Sequence, residues 1–191
     1  MIILVYFILG LLTSLLFPPY FFLPLGFIIF PALCLLLNLN KENYSSDIFK
    51  NVSIFGLGFF INYLFWLKNP FFVFEETKNF FLVFLLLIIL LSFILSLIFT
   101  IILKLGKNIP IIFLIPLIFT ISEYIISLFF YGFPWFTFSL VVSSNEYLLF
   151  ILKPFGTLIS SYLIIQTYCL PFIFFTKANL KKEIICLSLF V

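Results

Sequence analysis

Between Phe80 and Leu103 the chain runs for 24 residues without a charge, interrupted only by Ser92, Ser96 and Thr100. Coiled as a helix at 1.5 Å per residue, such a run is about 36 Å long and exceeds the ~30 Å hydrocarbon core of a bilayer. Pro110–Phe130 is a second run of this kind. Ile2–Phe17, Tyr20–Leu37, Val52–Leu67 and Phe155–Phe175 follow the same pattern, the first and third slightly short of a full crossing. The long runs lack the two-residue alternation of lipid-facing strands, and hydrocarbon penalises open sheet edges, so helix is expected over strand despite the abundance of Ile and Phe. The fold class expected is therefore all-α: a polytopic transmembrane helix bundle of six complete helices. A seventh run, starting near Ile184 in "IICLSLFV", reads as the start of a truncated helix.

Composition supports the same solvent. Hydrophobic residues make up 65% of the chain and charged ones 9%, against about 45–50% and about 25% in soluble domains. A net charge of +3 spread over 191 residues gives no basis for binding nucleic acid. All ten basic residues are Lys, and there is no His. Imidazole catalysis and histidine metal ligation are thereby excluded. Cys34, Cys169 and Cys186 sit in separate apolar runs without metal-ligand spacing, and read as small buried hydrophobes. No phosphate-cradling loop or serine elbow is present, and no metal or cofactor is expected.

The first run lacks a preceding Lys or Arg and a small-x-small cleavage pattern, so it reads as a retained helix. Breaks fall at Pro18-Pro19, at "NLNKENYSSDIFKN" and at "KLGKNIP". With the N-terminus in the cytoplasm, six crossings place Lys41, Lys50, Lys104, Lys107, Lys177, Lys181 and Lys182 inside. Lys68, Lys78 and Lys153 fall outside. This is the direction of the positive-inside bias. Residues 1–176 are then a transmembrane domain, and 177–191 a cytoplasmic basic turn leading into the truncated helix. The stretch 131–153 faces outward.

Glu123 is the costliest side chain, eight residues before Tyr131 and so roughly 12 Å below the outer end of its helix. An unpaired carboxylate at that depth costs several kcal/mol. Thr120, Glu123 and Ser127 share one helical face, which should turn toward other helices. Two roles are open for Glu123: a protonated or hydrogen-bonded lock between helices, or a group at a substrate cavity. Asn62 and the stripe Thr157, Ser160, Ser161 are its natural partners, with interhelical hydrogen bonding as their own simplest role. Gly56 and Gly58 suit close helix approach or bending.

Gly132-Phe133-Pro134-Trp135 comes next. Pro134 biases Phe133 away from helix and Gly132 permits unusual backbone angles, giving a rigid turn that presents Phe133, Trp135 and Phe136 at interface depth. This is either part of an aromatic belt or a lipid-contacting mouth.

"LLTSLLFPPYFFLPLGFIIFPALCLLL" (11–37), "IFGLGFFINYLFWL" (54–67) and above all "PLIFTISEYIISLFFYGFPWFTFSL" (116–140) resemble the bacterial apolipoprotein N-acyltransferases. In that family a Glu-bearing helix leads into a Gly-Phe-Pro-Trp turn, matched by Glu123 and Gly132 to Trp135. "LKPFGTLISSYLI" (152–164) is similar to a further family segment through Pro154 and Gly156. The resemblance implies a protein of the cytoplasmic (inner) membrane. Its reaction moves an acyl chain from membrane phospholipid to the N-terminal amine of a lipoprotein, through a thioester in a nitrilase-like domain with Glu, Lys and Cys. No segment here matches that domain, so no residue here is expected to be catalytic, and the partners implied are phospholipid, a separately encoded nitrilase-like domain and a lipoprotein substrate. Ile126-Ser127 stand where the family has Arg-Gly, which removes a partner for Glu123 and a donor to lipid phosphate, leaving that task to Lys153 or another group. The other reading is a non-enzymatic, divergent or accessory membrane protein. A small transporter fits less well, since only Glu123 is charged within a run.

Overall fold

The computed structural model describes residues 2–39, 46–129, 131–134 and 136–175. Every regular element among them is helical. The α-helices are α1 (Ile2–Ser14), α2 (Gly26–Leu39), α3 (Ser46–Tyr63), α4 (Phe81–Leu105), α5 (Ile111–Phe129), α6 (Glu146–Leu152), α7 (Gly156–Cys169) and the single turn α8 (Phe172–Phe175). Tight 3-10 segments join them at Leu23–Leu25, Phe65–Phe72, Glu75–Phe80, Phe138–Val142 and Lys153–Phe155. The expected 177–191 unit, the run from Ile184 and the 40–45 loop lie outside the described residues.

Three helical stretches are long and apolar enough to cross a membrane: Glu75–Leu105, Ile111–Phe129 and Glu146–Phe174. A fourth is obtained if Asp47–Tyr63 and Phe65–Phe72, which meet at a 52° bend, count as one span. The chain is thus an all-α, multi-pass membrane protein. Ile2–Ser14 and Leu23–Leu39 are apolar but shorter than the six-crossing expectation requires. Local chemistry accounts for the difference. Pro18 and Pro19 supply no N–H, so the Ile2–Phe17 run gives only 13 helical residues before passing into turns. Thr13 and Ser14 turn their hydroxyls back to the Leu9 and Leu11 carbonyls at its end. The Val52–Leu67 run starts its helix early, at Ser46, and switches to 3-10 geometry after Tyr63 on the way to Pro70.

α4 shows how the bundle meets its solvent. Ile88, Leu91, Leu95 and Phe99 are buried against neighbouring helices, while Leu82, Leu86, Ile89, Phe93 and Ile101 remain exposed. A helix apolar on both faces suits a protein core on one side and lipid on the other. Between α1 and α3 the contact is backbone to backbone. A Cβ on Gly10 would lie 2.1 Å from the Phe55 carbonyl oxygen, and one on Gly58 would lie 2.4 Å from that of Phe7. The same helices are tied by Asn62 donating to the Ser14 hydroxyl at 2.6 Å. α3 and α4 meet through the Ser53 and Ser96 hydroxyls, 2.8 Å apart.

Without a hydrophobic drive between helices in lipid, such small-residue contacts and hydroxyl bonds carry much of the association. The centre is filled by aromatic rings. Phe138 meets Phe17, Phe30 and Phe119 with centroids 5.0–5.7 Å apart, in edge-to-face geometry. α5 packs on α4 and α7, and α2 on α7, which brings the end of α5 and the start of α7 to one end of the bundle.

Candidate functional site

At its C-terminal end α5 does not fray. Tyr131 takes a left-handed φ of 55° and Gly132 one of 84°. The Gly132 amide donates back to the Ser127 carbonyl at 2.8 Å, the six-to-one bond of a Schellman close. Pro134 then prevents any return to helix. Gly132, Phe133 and Pro134 are exposed at this corner. Trp135 lies outside the described residues. Phe136 is not presented beside the exposed Phe133, contrary to the sequence expectation. It is 1% exposed and packs its ring against Phe59 and Phe60. The bundle centre has room for two rings from this loop, Phe136 and Phe138, and burying both draws the chain inward immediately after the turn.

The inward pull leaves backbone donors to satisfy. Phe138 and Ser139 open the 3-10 segment Phe138–Val142, whose own N-cap, Thr137, makes no side-chain capping bond. The caps come from two other helices. Glu123 of α5 accepts the Phe138 amide on Oε1 at 2.7 Å, and Ser161 of α7 accepts the Ser139 amide at 3.0 Å. Ser161 also bears on the Glu123 carboxylate. Glu123 is only 4% exposed, and its Oε2 has no hydrogen-bond partner among the described residues. The carboxylate therefore holds the post-turn segment against α5 and α7 and keeps one acceptor unused.

A cavity of about 340 Å³ opens beside this tie. Glu123, Ser127, Gly132 and Pro134, from the end of α5 and its turn, line it together with Ser139 and with Thr157 of α7. The Ser127 hydroxyl donates to the Tyr124 carbonyl of its own helix, and Thr120 likewise to Pro116. Thr120 does not line this cavity, and Asn62 is committed to α1 rather than to Glu123. The stripe on α5 is thus one inward carboxylate flanked by two self-satisfied hydroxyls. A second cavity, about 570 Å³, shares Ser139, Leu140 and Thr157 with the first and extends under α6 to Glu146 and Lys153.

Some functional geometry had no sequence signal. Trans-capping of a 3-10 turn depends on residues 15 and 22 positions away. Cys34 on α2 and Cys169 on α7, fully buried, interact with one another. Cys186 lies outside the described residues. Among the described residues no group of His, Cys, Asp and Glu is arranged to hold a metal. No thiol there has a base beside it in the pattern a nucleophile needs.

Residues 9–170 match the apolipoprotein N-acyltransferase N-terminal domain. The chain belongs to that family. The match runs from the second half of α1 through α7, and takes in the α5 turn, the Glu123–Phe138 tie and both cavities. A comparison with curated proteins gives no match. Within the region matched to the N-acyltransferase family, the cavity beside the tie is lined by hydroxyls, one carboxyl group and apolar side chains.

Proposed function

We propose that this chain is the membrane-embedded, lipid-admitting part of an apolipoprotein N-acyltransferase-like protein. Phospholipid enters at the rim formed by Gly132–Trp135 and passes to chemistry carried out by a nitrilase-like unit, with a lipoprotein as acceptor. The observation that carries this reading is the convergence of Glu123, Gly132, Pro134 and Thr157 on one cavity inside the matched family region. One preparation tests it. Purified chain, incubated with phospholipid and a diacylated lipopeptide, should form neither a thioester nor triacylated product, because the described thiols lack an activating base. It should retain phospholipid in native mass spectrometry, and Trp135→Ala should weaken that retention while the fold persists. An acyl adduct on Cys34 or Cys169 overturns the division of labour. Unchanged lipid occupancy in folded Trp135→Ala favours the second reading, an accessory membrane protein whose turn only anchors α5.

The topology that goes with this function has six crossings in the cytoplasmic membrane, with the N-terminus and 177–183 inside. Residues 1–176 form the membrane domain, followed by a basic turn. The seven-to-three lysine split supports it, and α1 and α2 reach the interfaces through flanking residues or local thinning. In a variant lacking its three native cysteines, a cysteine at Asn145 should react with an impermeant maleimide from outside, and one at Asn43 only after permeabilisation. The reverse pattern refutes the orientation.

A further inference from the structure

We infer that the 340 Å³ cavity beside the Glu123–Phe138 tie binds an alkali-metal cation, with Glu123 Oε2 as its charged ligand. The inference goes beyond the lipid-admitting role and stands whether or not lipid enters at the rim. The unused acceptor is the first ground. Glu123 is 4% exposed and lines the cavity, with Oε1 bonded to the Phe138 amide. Its Oε2 has no hydrogen-bond partner among the described residues. Ser161 bears on the same carboxylate, but a neutral hydroxyl leaves its charge uncancelled. No Lys lines this cavity, and the ion pair among the described residues, Lys78 with Glu75, lies elsewhere. A lone carboxylate held away from water is strongly disfavoured until a cation or a proton cancels it.

The remaining lining is the second ground. Ser127, Thr137, Ser139 and Thr157 contribute hydroxyl groups to the cavity. Those of Thr137, Ser139 and Thr157 make no hydrogen bond among the described residues. Ser127 donates its proton to the Tyr124 carbonyl and keeps its oxygen lone pairs. Oxygen donors without sulfur or imidazole suit a hard cation rather than a transition metal. Charge then selects the valence. One carboxylate and one monovalent ion are neutral together, whereas a divalent ion would leave a net positive charge at hydrocarbon depth. α5 adds to the same sign, because it closes at the turn whose Gly132 and Pro134 line the cavity. A helix C-terminus carries about half a negative charge.

Room and access are the third ground. At about 30 Å³ per water, the cavity has space for an ion that keeps part of its hydration shell beside the protein oxygens. Gly132 and Pro134 are exposed, and a Cβ on Gly132 would meet nothing within 4 Å. That corner is an open approach from the membrane surface, and Glu123 lies roughly 12 Å along α5 from it. An ion held there would bridge the α5 carboxylate to Thr157 of α7 and to Ser139 of the post-turn segment. It would thereby strengthen the tie that already runs through Phe138.

The test uses the intact chain in a nonionic detergent, with sodium chloride replaced stepwise by choline chloride at constant ionic strength, so that screening is unchanged. Wild type should melt roughly 3–6 °C higher when sodium saturates the site, because a ligand of the folded state stabilises it by mass action. The same titration should slow hydrogen exchange across 136–142. Radiolabelled sodium, followed by scintillation proximity, should bind saturably at one ion per chain. Glu123→Gln keeps an acceptor for the Phe138 amide but no charge, and should abolish both the sodium response and the bound label. Thr157→Val removes one neutral oxygen, and should move the sodium midpoint to higher concentration without abolishing the response. Wild type that melts equally in sodium and choline and binds no label overturns the site, leaving a proton to neutralise Glu123. A sodium response that persists in Glu123→Gln overturns it as well. Loss of phospholipid retention at an unchanged sodium response sinks the rim reading and leaves the ion site standing.

Discussion

Gly10→Ala should be the most damaging single-methyl change in the described part of this protein. The added Cβ would sit 2.1 Å from the Phe55 carbonyl oxygen and 2.9 Å from the Phe59 amide nitrogen. Both are backbone atoms of α3, so no rotamer change relieves the clash and α1 must move away. Overpacking usually costs about 1–3 kcal/mol where side chains can yield, and this site sits at the top of that range or above it. Displacing α1 also stretches the 2.6 Å Asn62–Ser14 bond, one of the few polar ties between the two helices. Gly58→Ala, facing the Phe7 carbonyl at 2.4 Å, should behave similarly. Leu4→Ala, on the exposed side of α1, is the control and should change little. Thermal unfolding in detergent, followed by protease resistance, reads the effect. A Gly10→Ala protein that melts with wild type would show that α1 and α3 are not held by this contact.

The α1–α3 contact also marks where sequence reasoning stops. Gly56 and Gly58 suggest close approach from their identity alone, but "GLG" lacks the spacing of a packing motif and names no partner. The partner, Gly10, lies 48 residues upstream of Gly58, in a largely aliphatic helix with nothing in its sequence to point at α3. α4 was legible because a long uncharged run has one structural solution in hydrocarbon. The length of α1 was less so, because a hydropathy run counts Leu15, Leu16 and Phe17 as helix. The prolines after them set those residues into turns instead.

At the α5 end, Pro134 and Gly132 announce the turn through backbone restriction, which is local and so readable. Beyond the turn, the path of the chain is decided by tertiary packing. Whether Phe136 faces lipid or core depends on the space between Phe59 and Phe60, and no period in the sequence encodes that. The inward orientation of Glu123 could be inferred from the cost of exposing it to lipid. Its acceptor role toward a particular amide could not.

That acceptor role yields the second large effect. Glu123→Leu should free the segment after the turn, because the Phe138 amide, buried beside a ring that is 0% exposed, would have no acceptor. Leaving a buried donor unpaired costs about 1–3 kcal/mol. Ser161 would still cap Ser139, so the loss should be local: faster hydrogen exchange across 136–142 and a lower melting temperature, with the helices themselves intact. Glu123→Gln separates the two functions of the side chain. Its amide oxygen can still accept from Phe138, so stability and exchange should remain near wild type. It cannot carry charge, so any part the carboxylate plays at the 340 Å³ cavity should be lost. A Gln variant that folds as wild type yet retains less phospholipid places Glu123 in the lipid path as well as in the tie. If both Gln and wild type retain lipid equally while Leu alone loosens 136–142, the carboxylate serves only to pin the turn. If Leu leaves Phe138 as protected as before, the tie itself is not what holds this segment, and the aromatic pair Phe136 and Phe138 must hold it alone.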